Sequence, residues 1–94
     1  MRAVGLALVV LAGCAAAPPP VPVPPPVPAP AADTCAAAPY ARLIGQDATA
    51  LERELIMRQV RVIRPGMAVT EEFVGERINF EIDAAGRIAR IYCG

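Results

Sequence analysis

The spacing of apolar residues changes character several times along this chain. From Ala3 to Ala12 it is almost uniformly apolar for about ten residues, too short a run to span a bilayer. From Pro18 to Pro30 nine prolines fill thirteen positions. Such a run has fixed φ and few amide donors, which predicts an extended polyproline II spacer reaching roughly 40 Å at about 3.1 Å per residue. Over Asp47–Gln59 the spacing turns helical: Ala48, Leu51 and Leu55 share one face. Asp47 or Thr49 can cap that helix, Glu52 completes a capping box with Thr49, and Glu54 stands four residues before Arg58. One main helix is therefore expected, preceded by a short apolar stretch, Tyr40–Ile44, that Gly45 breaks.

From Val60 the period falls to two. Val60, Val62 and Arg64 alternate with Arg61 and Ile63 until Pro65-Gly66 stops the run. Ile78, Phe80 and Ile82 alternate with Asn79, Glu81 and Asp83, the pattern of a strand with one buried face. Asp83–Gly86 reads as a turn, so Arg87–Cys93 returns antiparallel as a hairpin. Between the first two strands lie twelve residues, Pro65–Glu76. That is too long for a hairpin and about the minimum for a crossover that leaves strands 60–64 and 77–83 parallel. Pro65-Gly66, the β-branched Val69 and Thr70, and Gly75 oppose a helix there, so the crossover is expected to be an extended, exposed loop. The fold class predicted is α+β: one main helix on a small mixed sheet, a parallel pair bridged by the loop, and a C-terminal hairpin.

Composition alters this picture mainly at the ends. Arg2 before the apolar run makes residues 1–13 a targeting segment, and its last residues with Cys14, "LAGC", resemble the bacterial lipobox. That resemblance implies cleavage before Cys14 and acylation of its thiol, giving a lipid anchor that does not readily leave the membrane. Ala15 rather than Asp follows the cysteine, which favours the outer membrane on its periplasmic side. The domains expected are the signal, 1–13, a lipidated cysteine with proline-rich linker, 14–32, and a globular domain, 33–94. Lipidation uses one of the three cysteines. In an oxidising compartment the remaining two, Cys35 and Cys93, are expected to bond to each other, with two buried free thiols as the alternative. Some sixty residues is a length at which a core alone is marginal and such a staple is needed. Formal charge is zero over the whole chain, so nothing directs it to nucleic acid. All nine cations are Arg, from which no function follows.

Six short stretches in order, "LIGQ" (Leu43–Gln46), "RVIRPG" (Arg61–Gly66), "VT" (Val69-Thr70), "RIN" (Arg77–Asn79), the Asp83–Gly86 turn and "CG" (Cys93-Gly94), resemble the fungal elastase inhibitor family of small peptidase inhibitors. The resemblance covers about fifty residues and implies a potato inhibitor I-like fold. It also implies a serine protease partner of subtilisin or chymotrypsin/elastase type. Glu71 would be the specificity residue, Glu71–Glu72 the presented bond, and Met67, Ala68, Val69, Thr70 and Phe73 the rest of the binding loop. Arg77 and Asn79 would brace the loop, Arg77 reaching the Glu72 carboxylate or the Thr70 region. Residues two apart on a strand share a face, so Arg77 and Asn79 are expected opposite Ile78 and Phe80. The departure is Glu71, since burying a carboxylate in an apolar specificity pocket costs several kcal/mol unless it is paired.

The chain has no His, no metal-ligand cluster and no phosphate-cradling glycine loop, so neither an enzyme nor a cofactor or metal is expected. A monomeric inhibitor displayed on the cell envelope is the reading reached. The alternative is an envelope interaction module that keeps the same fold without inhibiting.

Overall fold

The structure is a computed structural model, and it describes residues 3–8, 13, 19 and 22–94. Cys14 and much of the expected signal lie outside the described residues. Three strands, β1 (Val60–Ile63), β2 (Ile78–Ile82) and β3 (Ile88–Cys93), form one sheet in the order β1-β2-β3. β1 and β2 run parallel, with Val60 opposite Ile78 and Arg61 opposite Asn79. β2 and β3 run antiparallel, with Asn79 opposite Tyr92, Phe80 opposite Ile91 and an irregularity between Glu81 and Ile82. The hairpin closes where Asp83 Oδ1 accepts from the Ala85 and Arg87 amides at 2.9 and 3.0 Å.

Residues in register share a face of the sheet. One face therefore carries Val60, Val62, Ile78, Phe80 and Ile91, and its buried members form the core with Cys35, Ala37, Leu43, Ile82 and Ile88. Two short 3₁₀ helices, η2 (Ala38–Leu43) and η3 (Ala48–Arg53), pack on that face; an exposed one, η1 (Pro30–Ala32), precedes them. Leu43 is fully buried, and the Tyr40 ring meets Phe80 edge-on at 6.2 Å.

The expected main helix does not form. Only Ala48–Arg53 is helical, and as a 3₁₀ turn capped by Asp47, whose carboxylate accepts from the Thr49 amide at 3.0 Å. That hydrogen bond holds the Asp47 carboxyl below its ordinary pKa. Beyond it the chain is extended and the period becomes two: Glu54 and Ile56 turn inward, while Leu55 and Met57 are 84% and 86% exposed. Leu55 therefore does not share a buried face with Leu51. A helix as short as Asp47–Gln59 is marginal without tertiary support, and an extended residue covers about twice the distance of a helical one. The extended route also satisfies polar groups. Glu54 pairs with Arg42 at 2.7 Å rather than with Arg58, Arg58 donates to the Cys35 carbonyl, and the Gln59 carbonyl accepts from the Ile78 amide at 3.0 Å.

Cys35 and Cys93 are bonded, with their Cα atoms 5.5 Å apart. Part of the proline-rich stretch lies against the sheet: the Ile91 amide donates to the Pro26 carbonyl at 2.8 Å, and Val27 and Pro28 are half-buried. That contact shortens the reach of the thirteen-residue spacer expected from the sequence.

Candidate functional site

The crossover from β1 to β2 is bounded by two tight turns. In the first, the Met67 amide donates to the Arg64 carbonyl at 3.0 Å. Pro65 follows that carbonyl and Gly66 has φ 76°. Proline then glycine with positive φ is the pattern a type II turn demands, which explains why this pair stops the strand. In the second turn the Arg77 amide donates to the Val74 carbonyl at 3.0 Å. Between the turns, Met67 to Phe73 carries neither helix nor strand and is exposed throughout, Phe73 to 74%. Among the described residues, no backbone group from Ala68 to Glu71 has an internal hydrogen-bond partner. Those amides and carbonyls are free to pair with another chain.

Beneath the loop the second face of the sheet is polar yet buried. Arg77 is 6% exposed and Asn79 0%. The periodic pattern had implied a solvated face for Asn79; it is covered because it belongs to a hydrogen-bonded cluster that fills that side. Arg77 Nη2 donates to the Glu72 carbonyl at 2.8 Å, and its Nε donates to the Gly94 carbonyl at 2.7 Å. The guanidinium thus reaches the Glu72 backbone, not its carboxylate or Thr70. A planar fork with several fixed donors suits two carbonyls at different angles. Asn79 Nδ2 donates to the same Gly94 carbonyl at 2.7 Å and to that of Tyr92 at 3.3 Å, while its Oδ1 accepts from Arg61 Nε at 2.7 Å.

Gly94 is the hub of this cluster. Its amide donates to the Arg77 carbonyl at 3.0 Å, and its own carbonyl takes both Arg77 and Asn79. The Phe73 ring lies against it, so that a Cβ at position 94 would come within 3.1 Å of two ring carbons. A side chain at position 94 would push the Phe73 ring away by a few tenths of an ångström. The adjoining disulfide pins Gly94 to the start of the domain, and Thr34 Oγ1 donates to the Gly75 carbonyl at 2.6 Å, tying down the far foot of the loop.

Of the residues singled out from sequence, Met67 to Phe73 form one exposed segment. Arg77 and Asn79 sit together below it and meet it through the Glu72 carbonyl. Gly94, Thr34 and Arg61 were missed as members of the cluster. For Arg61 a signal existed, since a parallel pairing of 60–64 with 77–83 places it beside Asn79. For Gly94 the signal was its place in the closing "CG" of the family resemblance, although residue type does not say which donors its carbonyl takes. Asp33 Oδ1 lies 3.7 Å from Cys93 Sγ, but with both thiols consumed in the disulfide this group offers no thiolate to a metal.

Comparisons with known proteins bear on the fold and the family. A solved structure of the elastase inhibitor AFUEI (crystal form II) is similar, with a TM-score of 0.54 and 28% identity over 65% of this chain and 96% of that one. No curated protein sequence matches. The pattern defining the peptidase inhibitor I78 family matches residues 35–94, the β1–β2 crossover and its buried brace included. This chain belongs to the peptidase inhibitor I78 family.

Proposed function

We propose that the domain inhibits a serine protease of subtilisin or elastase type by offering Met67 to Phe73 as a substrate-like strand, with Glu71–Glu72 as the bond in the cleft. The observation that carries this reading is the 2.8 Å hydrogen bond from Arg77 to the Glu72 carbonyl. It fastens the backbone just past the presented bond. After cleavage the new amino terminus at Glu72 would stay where it was made, so the bond can re-form and the fragments do not leave. Ordering cost is small, because the loop is already held at both turns and by the brace. The unpartnered backbone from Ala68 to Glu71 is what strand-like pairing with a protease cleft uses.

The test is titration of the full chain, disulfide intact, against subtilisin, an elastase and a Glu-preferring protease, with mass spectrometry to locate any nick. Slow-release inhibition with a single cut between Glu71 and Glu72 is the expected outcome. Glu71→Leu should tighten binding to enzymes with apolar pockets, and an unchanged constant would reject this bond register. No inhibition of any of the three by the oxidised protein would favour a non-inhibitory interaction module.

The same proposal places the domain on a membrane through acylated Cys14, in the cell envelope, on the resemblance of "LAGC" to the lipobox. Among the described residues no helix is long and apolar enough to cross a membrane. Labelled palmitate should be incorporated by the wild type and lost in Cys14→Ser.

A further inference from the structure

The brace has a member outside both the loop and β2. Arg61 lies on β1 directly opposite Asn79, and its Nε donates to Asn79 Oδ1 at 2.7 Å. A guanidinium only donates, and a carboxamide has one accepting end. Arg61 therefore fixes the accepting end of the Asn79 amide toward β1, as the Tyr92 and Gly94 carbonyls fix Nδ2 on the other side, at 2.7 Å for Gly94. Asn79 is wholly buried with Arg61 in place, and an apolar side chain of similar length at position 61 would keep Oδ1 covered while offering it no donor. That Oδ1 would be left an unpaired buried acceptor, or the amide would flip and set one oxygen against another at Gly94. Either change disturbs the carbonyl on which Arg77 Nε also rests, and the other end of Arg77 holds Glu72.

We infer that Arg61 is a positioning residue for the loop, acting through Asn79 and Gly94 on Arg77. It also lines the cleft under the loop with Val69, Thr70, Glu71 and Glu72. Its two Nη atoms have no hydrogen-bond partner among the described residues, which leaves their donors beneath that segment. The effect on inhibition rests on the function proposed above; the effect on the brace does not.

Two substitutions isolate the donor. Glutamine places its Nε2 at the same number of bonds from Cα as arginine Nε, whereas methionine puts a methyl group there. In the full oxidised chain, Arg61→Met should exchange the Asn79 side-chain amide protons with solvent about tenfold faster than wild type, roughly the effect of one lost charge-assisted hydrogen bond. Its loop should be hydrolysed by a bound protease about tenfold faster. Arg61→Gln should stay close to wild type in both. Equal exchange in Arg61→Met and wild type would overturn the inference. So would equal impairment of the Met and Gln variants, which would make the cation, not the donor, the active feature. Global unfolding of Arg61→Met with a stable Arg61→Gln would also overturn it, assigning Arg61 to the scaffold. The exchange measurement needs no protease, so it decides the role of Arg61 even if the wild type inhibits nothing.

Discussion

The two faces of β2 next to the loop are both buried and are held by different forces, although the second face opens to solvent further along at Glu81. On one, Ile78, Phe80 and Ile82 pack under the 3₁₀ helices; on the other, Asn79 and the adjoining Arg77 are as deeply buried but make five directed hydrogen bonds with Arg61, Glu72, Tyr92 and Gly94. Apolar burial stabilises by area and tolerates small displacements. Hydrogen bonds fail within a few tenths of an ångström and a few tens of degrees. The core face can therefore decide whether the domain folds, and the polar face how the loop is held once it has. A protein whose working part is an exposed segment needs both, since area alone does not fix a backbone at a stated angle.

The sharpest way to break this comparison is at Phe80. Phe80→Ala should cost about 3–5 kcal/mol, read as a lower denaturant midpoint at unchanged slope. A loss below about 1 kcal/mol would show that the core face is not the anchor. Replacing Cys35 and Cys93 together by Ser should cost about 4 kcal/mol through the unfolded chain. Because Cys93 adjoins Gly94, it should also loosen the loop, visible as faster amide exchange from Val74 to Arg77. Arg77→Ala should cost about 2 kcal/mol in global stability, the scale of lost hydrogen bonds from a charged donor. Its larger consequence should be faster proteolysis between Glu71 and Glu72 under conditions where the domain stays folded. If it unfolds the domain as completely as Phe80→Ala, the two faces do not divide the labour.

The smallest effect expected is at the surface. Arg42 lowers the Glu54 carboxyl below its ordinary value of 4.5, and Arg42 is raised in turn. A carboxyl depressed on folding contributes stability above its unfolded pKa and loses it as pH falls through the folded value. Stability should therefore decline modestly below about pH 4.5, as it should for Asp47 below 3.8. Glu54→Gln should flatten that acid limb while leaving pH 7 stability nearly unchanged. A limb of undiminished depth would place the acid sensitivity elsewhere.

Much of the scaffold was legible in local pattern. Alternation at Val60–Ile63 and Ile78–Ile82, the Asp83–Gly86 turn and a twelve-residue crossover led to a parallel pair and a hairpin, and both are present. The count of cysteines, with Cys14 set aside by the likeness of "LAGC" to a lipobox, led to the Cys35–Cys93 bond. Over Leu51–Met57 the helical spacing of Leu51 and Leu55 pointed to the wrong inward residue: Ile56, not Leu55, turns toward the core once the chain is extended. The competing partners that chose the extended route, Arg42 for Glu54 and the Cys35 carbonyl for Arg58, lie 12 and 23 residues away.

By itself, then, the sequence determined which residues would be strands, where they would turn, which two sulfurs would meet and which segment would stand exposed. The strands, turns and exposed segment follow from periodicity and from glycine and proline geometry, which act over a few residues, and the sulfur pair from a cysteine count that the lipobox resemblance at Cys14 reduces to two. Only the tertiary structure decided that Arg77 reaches a carbonyl and not a carboxylate, that Asn79 is buried, and that Arg61 and Gly94 join them. Those outcomes depend on directed hydrogen bonds between backbone and side-chain groups brought together from β1, β2 and the end of β3. Carbonyl oxygens are the same in every residue, so no reading of side-chain identity can say which of them a buried guanidinium will find.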